Sequence, residues 1–161
     1  MIIGYTCGVY DLFHIGHLNL LKNAKGICDK LIVGVTVDYL VAYKGKHSLI
    51  PYEDRAAIVG SIKYADAVVP QYDMDKLTAC KKLGANILFV GDDWYDTEKW
   101  KRYEKEFEQA DIKIIYFPYT RGISSSRITE VLKNNRGWTI GSDGKIESHL
   151  NIGENRKIDK Y

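Results

Sequence analysis

Two histidines three residues apart mark the most informative stretch of this chain. His14 and His17 flank Gly16, after an apolar run over residues 1–7 that predicts a strand and before residues 17–25, which predict a helix. Side chains three residues apart share one face of a helical turn, and glycine lets the backbone approach a ligand closely. A helix N-terminus adds unpaired N–H groups and the positive end of the helix dipole. Together these features predict a site for a polyanion such as a nucleoside triphosphate.

Two other interpretations of the same histidines stay open at this point. A polar helix start with one capping and one exposed histidine needs no ligand at all. A zinc site is weaker, because zinc needs three or four ligands and only Asp11 and Cys7 lie nearby. The coincidence of a strand end, a glycine and a helix start favours phosphate.

Two lysines follow the second predicted strand. Lys44 and Lys46 lie in a short loop after residues 30–37. In a parallel sheet this loop is expected at the same carboxyl edge as the histidines. A flexible ammonium group there can reach a triphosphate as a movable point charge, although most loop lysines are simply solvated.

Polar residues also follow the fourth and fifth predicted strands. Asp93 comes directly after the fourth, where its carboxylate either caps a helix or accepts hydrogen bonds from a ribose. Residues 120–127 follow the fifth strand and hold two arginines and three serines at the start of a predicted helix. A serine N-cap accounts for part of this pattern, and a second phosphate-binding helix start accounts for the rest.

A cation near a helix start is a further candidate. Arg55 lies in the first turns of a helix predicted over residues 52–63, where a positive charge is mildly unfavourable. This position hints at an anionic partner, and an ion pair with Glu53, Asp54 or another acid is the simpler explanation.

Strand and helix patterns alternate along the chain. This alternation predicts an α/β, Rossmann-like fold with a five-stranded, mainly parallel sheet flanked by helices on both faces. The predicted strands cover residues 2–7, 30–37, 67–70, 86–90 and 112–117, and the predicted helices cover residues 17–26, 52–63, 74–83, 98–110 and 124–133.

Composition excludes several classes of protein. The chain has 161 residues, a net charge of +2, and 45% hydrophobic and 27% charged residues, which is ordinary for one globular domain. We expect no nucleic-acid binding, because no basic stripe with interleaved aromatics occurs, and no membrane insertion, because no apolar stretch is long enough. Three scattered cysteines suggest reduced thiols and a cytoplasmic location.

Four motifs in order resemble those of a known family. Residues 8–17, the lysine loop with residues 52–55, residues 91–94 and residues 122–126 are similar to motifs of the nucleotidyltransferase superfamily with an H-x-G-H signature. Within it they resemble the cytidylyltransferase family, in particular its small bacterial glycerol-3-phosphate type. The resemblance implies a Rossmann-like fold, frequent dimerisation, and transfer of CMP from CTP to a phosphorylated acceptor with release of pyrophosphate.

The resemblance also implies roles for individual residues. His14, His17, Lys44 and Lys46 are the implied catalytic residues, and Mg²⁺ is expected on the triphosphate, with Asp11 as a weak candidate to touch it. Arg55, Lys63, Lys76 and again Lys44 are the implied acceptor-binding residues. The implied nucleotide-binding residues are Gly8, Val9, Tyr10, Gly16, Asp93, Trp94, Thr120, Arg121, Gly122, Ile123, Ser124, Ser125 and Ser126.

The acceptor and the nucleotide stay open. Lys63 and Leu77 stand where the glycerol-3-phosphate type has arginine and lysine, so glycerol 3-phosphate, choline phosphate and phosphoglutamine all remain candidate acceptors. An adenylyltransferase of the same fold that uses ATP, and a nucleotide-binding module without turnover, are the alternatives. We expect a nucleotidyltransferase domain over residues 1–136, a C-terminal extension over residues 137–161 that forms a hairpin or a tail, and a homodimer.

Overall fold

A computed structural model describes residues 1–43, 45–91, 98–134, 138–140 and 146–148. Its centre is a five-stranded sheet in which every strand pair is parallel. The strand order is β3-β2-β1-β4-β5, which confirms the predicted Rossmann-like architecture. The strands are β1 (Ile3–Gly8), β2 (Lys30–Thr36), β3 (Ala67–Gln71), β4 (Ile87–Gly91) and β5 (Lys113–Phe117).

The helices lie in the connections between these strands, except the last one, which follows β5. They are α1 (Ile15–Lys25), α2 (Asp38–Tyr43), α3 (Tyr52–Gly60), α4 (Lys76–Leu83), α5 (Glu98–Gln109) and α6 (Ser125–Asn134). The sequence pattern did not predict α2, because a six-residue run rich in valine, leucine and tyrosine shows no helical period. The pattern also placed the start of α1 at His17, whereas the helix begins two residues earlier.

Alternating strand residues build a core on each face of the sheet. Leu31, Val33 and Val35 of β2 pack on one face with Leu21 of α1 and Val59 of α3. Ile32 points to the other face, where β4 meets Cys80 of α4 and Phe107 of α5. Buried on both sides, these strands read as continuous apolar runs, as parallel strands do. The helices therefore cover both faces, as predicted.

The order in which strands are added to the sheet reverses at β1. β2 and β3 lie on one side of β1, and β4 and β5 lie on the other. All five carboxyl ends face the same edge, because Gly8 of β1 pairs with Val35 of β2 and Gly91 of β4 pairs with Phe117 of β5. Ligands of open parallel sheets bind at such a point, and the β1–α1 connection begins there.

The chain divides into two compact units, Met1–Ser125 and Ser126–Tyr161. The second contains most of α6 and an antiparallel pair, β6 (Trp138–Ile140) and β7 (Ile146–Ser148). The turn predicted at residues 143–144 lies outside the described residues, and the domain boundary at residue 136 stays a prediction. No helix in the described ranges is long and apolar enough to cross a membrane.

Candidate active site

The connection between β1 and α1 has an unusual backbone. Tyr10 and Leu12 adopt φ angles of 56° and 48°, in the left-handed region that residues other than glycine seldom use. Such conformations persist where surrounding contacts determine them, and they concentrate at functional sites. Here the left-handed residues fold the chain back so that His14 caps the helix that follows it.

His14 and His17 cap the helix start reciprocally. The Nδ1 atom of His14 accepts a hydrogen bond from the Gly16 N–H at 3.0 Å, and Nδ1 of His17 accepts one from the His14 N–H at 3.3 Å. The predicted capping histidine is therefore confirmed, but both rings cap the helix and the second is not exposed as that interpretation expected. The Gly16 N–H, which we expected to be open to phosphate, is used inside the helix start. In a neutral imidazole an accepting Nδ1 assigns the proton to Nε2, so each ring has an Nε2–H donor left for a ligand.

The two imidazole rings also stack on each other. Their centroids lie 3.9 Å apart with 23° between the planes, and Tyr10 packs edge-on against His17 at 5.3 Å. Burial and the neighbouring His14 lower the pKa of His17 to about 4, although Asp11 opposes this, and burial lowers the pKa of His14. Both rings are therefore neutral at pH 7, and a bound polyanion would raise their pKa values again.

The histidines open into a cavity of about 560 Å³ at the carboxyl edge of the sheet. This is the size range of small-molecule sites. The predicted residues that line it are Gly8, Val9, Tyr10, His14, Gly16, His17, Lys76, Thr120 and Ile123. The sequence had thus identified residues from the β1–α1 connection, the start of α4 and the segment after β5.

Asp11 has a role that the sequence did not predict. Its two carboxylate oxygens accept the backbone N–H groups of Leu49 and Ile50 at 2.8 and 2.9 Å, and the residue is 8% exposed. The carbonyl oxygen of Asp11 accepts a bond from the Ser125 hydroxyl at 2.6 Å. Asp11 therefore ties the histidine loop to the segment that follows the lysine loop, instead of presenting its carboxylate to a metal ion.

Arg55 likewise has a structural role in place of the acceptor-binding role that was predicted for it. Its side chain is completely buried, and it donates to the carbonyl oxygens of Ile50 and Thr36, each at 2.8 Å. It also donates to the Val9 carbonyl and pairs with Asp38. The ion-pair alternative is therefore correct, with Asp38 as the partner instead of Glu53 or Asp54. A guanidinium used in this way holds the loop after β1 and cannot reach a ligand.

Asp38 completes this clamp at the start of α3. Burial raises the pKa of Asp38, but the Tyr52 N–H, the Arg55 guanidinium and the Ser48 hydroxyl lower it, and the net pKa lies below its usual value. The Tyr52 N–H donates to Asp38 at 3.1 Å. Pro51 occupies the N-cap position of α3, and its side chain makes no capping hydrogen bond. The bond from Tyr52 to Asp38 takes the place of that cap.

The remaining predicted lysines separate into three groups. Lys76 lines the cavity, with Nζ 6.0 Å from the centre of the Trp100 ring. Lys63 lies just before β3, at the amino edge of the sheet and thus opposite the cavity, which contradicts a role in this site. Lys46 is exposed in its loop and does not line the cavity, and Lys44 lies outside the described residues.

The later motifs are only partly described. Thr120 accepts a hydrogen bond from Asn19 of α1 at 3.2 Å, which joins the segment after β5 to the histidine helix. Arg121 and Gly122 are exposed, Ser124 is half-buried, and Ser126 begins the second compact unit. Asp93 and Trp94 lie outside the described residues.

Several cavity residues were missed by the sequence analysis. Asn19 positions Thr120, while Thr36 and Gln71 end β2 and β3 and hydrogen-bond to each other at 2.6 Å. The available signal for Thr36 and Gln71 was a polar residue that itself ends an apolar strand, whereas the sequence analysis considered only residues that follow the first, second, fourth and fifth strands.

Comparison with known proteins assigns the family. Residues 5–131 match the family described as cytidylyltransferase-like, which is most of the chain. The chain belongs to the cytidylyltransferase-like family. It is 35% identical over 124 residues to a glycerol-3-phosphate cytidylyltransferase of Bacillus spizizenii, a match that covers 76% of this chain and 91% of the relative.

Two further matches are to proteins that carry other names. An FAD synthase of Pyrococcus horikoshii is 33% identical over 129 residues, covering 78% of this chain and 86% of that protein. A solved structure of a lipopolysaccharide core biosynthesis protein from Thermoplasma volcanium has a TM-score of 0.63 over 74% of this chain and 97% of that one. At 23% identity, the structural match shows the shared fold.

Proposed function

We propose that this protein transfers CMP from CTP to a small phosphorylated acceptor and releases pyrophosphate. The observation that carries the proposal is the stacked pair His14 and His17, which line the cavity of a cytidylyltransferase-like chain. The glycerol-3-phosphate cytidylyltransferase relative supports CTP as the nucleotide and a phosphomonoester as the acceptor.

The reaction is an in-line attack by an acceptor phosphate oxygen on the α-phosphorus of CTP. A phosphate monoester has a second pKa of about 6, so it is mostly dianionic at neutral pH and needs no general base. The barrier lies in bringing anions together and in dispersing the charge of the transition state. Positioned hydrogen-bond donors lower that barrier.

In this mechanism the Nε2–H groups of His14 and His17 donate to the α- and β-phosphates. The dipole of α1 points its positive end at the same phosphates. Each neutral ring donates its Nε2–H without taking up a proton, because its Nδ1 already accepts a backbone N–H, and these donated bonds strengthen as negative charge develops on the departing pyrophosphate. Lys44 and Lys46 act from their loop as movable cations over the triphosphate.

Magnesium fits this site as an ion carried by the nucleotide. Within the described ranges, no group of three or more His, Cys, Asp or Glu side chains is arranged to hold a metal. The Asp11 carboxylate is already engaged by two backbone N–H groups. Mg²⁺ readily keeps its waters and binds through substrate phosphates, where it neutralises charge.

A pyrophosphate-release assay tests the proposal. We expect release with CTP and Mg²⁺ in the presence of one phosphorylated acceptor from a panel of glycerol 3-phosphate, choline phosphate, ethanolamine phosphate and phosphoglutamine. Mass spectrometry should then find the matching CDP conjugate. Nucleotide binding without pyrophosphate release across the whole panel would instead identify a nucleotide-binding module.

An adenylyltransferase that uses ATP is the second candidate. The observation that favours it is the FAD synthase relative, because FAD contains an adenine nucleotide. The same assay with ATP, GTP and UTP separates the two candidates: release with ATP alone would replace CTP by ATP in the proposal.

A homodimer and a cytoplasmic location stay predictions. Sedimentation equilibrium of the purified protein measures the first, and fractionation of cells that express it measures the second.

A further inference from the structure

One face of α1 lines the cavity beyond the two histidines. Gly16, Asn19, Leu20 and Asn23 all line it, and their spacing along the sequence places them on one side of the helix. Of these four residues only Gly16 belongs to the H-x-G-H stretch, so the family resemblance implies no role for the other three. The side chains at these positions are therefore a feature of this chain that its family motifs do not explain.

The segment after β5 forms the opposite wall of this part of the cavity. Nδ2 of Asn19 donates to Oγ1 of Thr120 at 3.2 Å, and a Cβ added to Gly16 would lie 3.6 Å from Cβ of Thr120. Phe117 and Ile123 line the cavity on the same side as Thr120. The space between this face of α1 and residues 117–123 is here called the α1–β5 slot.

The α1–β5 slot is uncharged and partly apolar. None of the residues just named on its two walls is ionisable, and Leu20, Phe117 and Ile123 give it apolar surface. The described ionisable groups that fit a polyanion, His14 and His17, lie at the start of α1. The phosphates of a nucleotide therefore belong at the histidines, and an uncharged heterocycle such as a nucleobase fits the slot beside them.

Asn19 and Thr120 keep hydrogen-bonding groups for such a ligand. Within the part of the chain that the structure describes, the bond between them is the one hydrogen bond that either side chain makes. Oδ1 of Asn19 therefore remains as an acceptor, and the Thr120 hydroxyl remains as a donor. An exocyclic amino group, as in cytosine or adenine, can donate to Oδ1. Uracil and hypoxanthine have a carbonyl oxygen in its place, which would set two acceptors against each other.

The asparagine amide limits how strongly this pair can discriminate. If the amide turns over, Nδ2 faces the ligand and the Thr120 hydroxyl donates to Oδ1, so a base with a carbonyl group can also be accommodated. A carboxylate at position 19 has acceptors alone and loses this second arrangement. The difference between an amide and a carboxylate at this position therefore reports on contact with the base.

We propose that Asn19 is a specificity-determining residue that contacts the nucleobase in the α1–β5 slot and favours a base with an exocyclic amino group. This inference rests on the proposed function, in which the nucleoside triphosphate occupies the cavity. Thr120 holds the Asn19 amide so that Oδ1 accepts the amino group.

Asn19→Asp tests the contact in the purified full chain. Calorimetry with Mg²⁺ measures the Kd of CTP against UTP and of ATP against ITP, which differ in the amino or carbonyl group. In the pair that binds, we expect the preference for the amino base to rise about tenfold or more, since the carboxylate cannot donate to a carbonyl oxygen. The new charge also repels the triphosphate, but it does so equally for both members of a pair.

Asn23→Asp is the matched control. It adds the same charge one turn further along α1, where the side chain is exposed. It should weaken both members of a pair alike and leave their ratio at the wild-type value. Equal ratios for wild type, Asn19→Asp and Asn23→Asp would overturn the inference.

Asn19→Leu tests the same contact without adding charge. It removes the amide, so we expect the KM for the nucleotide to rise about tenfold and the KM for the acceptor to stay unchanged. A change in the acceptor KM alone would place Asn19 outside the nucleobase site and overturn the inference.

Pyrophosphate release by the same proteins separates this inference from the proposed function. A ratio that rises in Asn19→Asp without any pyrophosphate release would overturn the proposed function alone. Transfer of CMP with an unchanged ratio would overturn the inference alone, and binding of none of the four triphosphates would overturn both.

Discussion

His14 and His17 hold each other in place through the backbone of the helix that they begin. Each Nδ1 accepts a backbone N–H, from Gly16 in one case and from His14 in the other, and the rings stack 3.9 Å apart. The same contacts that cap α1 also fix the direction of both Nε2 atoms. Capping and phosphate binding are therefore two uses of one arrangement, on opposite nitrogens of each ring.

Replacing His17 by Asn separates these two uses. The Asn amide oxygen can accept the His14 N–H in place of Nδ1, but it provides no donor at the position of Nε2. We expect kcat/KM to fall by a factor of about 10² to 10³, the usual effect of losing one positioned donor. The unfolding free energy should stay within about 1 kcal/mol of wild type.

His17→Ala is the matched control for that variant, because it removes both the cap and the donor. It should show the same loss of kcat/KM and an additional loss of stability in urea unfolding. Near wild-type turnover of either variant would exclude His17 from the mechanism.

The depressed pKa values of the histidines predict how stability depends on pH. The pKa of His17 is about 4 in the folded protein, against 6.5 when unfolded, and that of His14 is lowered in the same direction. Between pH 6.5 and 4 the unfolded chain binds protons that the folded chain does not, so stability falls as the pH falls through this window.

Urea unfolding at pH 7, 5.5 and 4.5 checks this prediction. Wild type should lose more stability than His17→Asn over this range. Three carboxyl groups with a lowered pKa also contribute to stability, and they lose this contribution mainly below pH 4. They are present in both proteins and so do not affect the comparison: Asp38, Asp66 and Asp75. Parallel pH profiles for the two proteins would contradict the buried, neutral state of His17.

Local patterns predicted the fold and the position of the histidines. The β-branched runs of β1 and β2 and the alternation of strands with helices require little beyond period and turn residues. The H-x-G-H stretch was placed at the carboxyl edge for the same reason. The short helix α2 was missed, since its six residues show no helical period.

Long-range partners could not be predicted from the sequence. The resemblance implied acceptor binding for both Arg55 and Lys63. In the structure Arg55 donates to the carbonyl oxygens of Val9 and Thr36 from other segments and of nearby Ile50. Lys63 instead lies exposed beyond the helix end. The role of Asp11 is determined in the same way, by hydrogen bonds from the N–H groups of Leu49 and Ile50, nearly forty residues away. Side-chain roles of this kind depend on which segments the fold brings together.

The different roles of Arg55 and Lys63 predict different mutant stabilities. Arg55→Met leaves the carbonyl oxygens of Thr36 and Ile50 without their donor and Asp38 without its partner, so we expect a loss of about 3–5 kcal/mol in urea unfolding. Lys63→Met should stay within about 0.5 kcal/mol of wild type, as exposed substitutions usually do. If Arg55→Met were as stable as Lys63→Met and raised only the acceptor KM, Arg55 would be an acceptor ligand after all.

A methyl group at Gly16 should disturb the first ring of the pair. A Cβ added there would lie 2.8 Å from Cε1 and 3.0 Å from Nδ1 of His14, so the imidazole must leave its cap. Alanine gains about 1 kcal/mol of helix propensity, which roughly offsets the lost cap, so stability should change little while kcat/KM falls about tenfold to a hundredfold. Gly26→Ala, at the other end of α1, adds a Cβ with 3.4 Å to its nearest atom and should leave kcat/KM unchanged. Steady-state kinetics of the two variants decide the matter: equal activity would mean that the orientation of His14 does not govern the reaction.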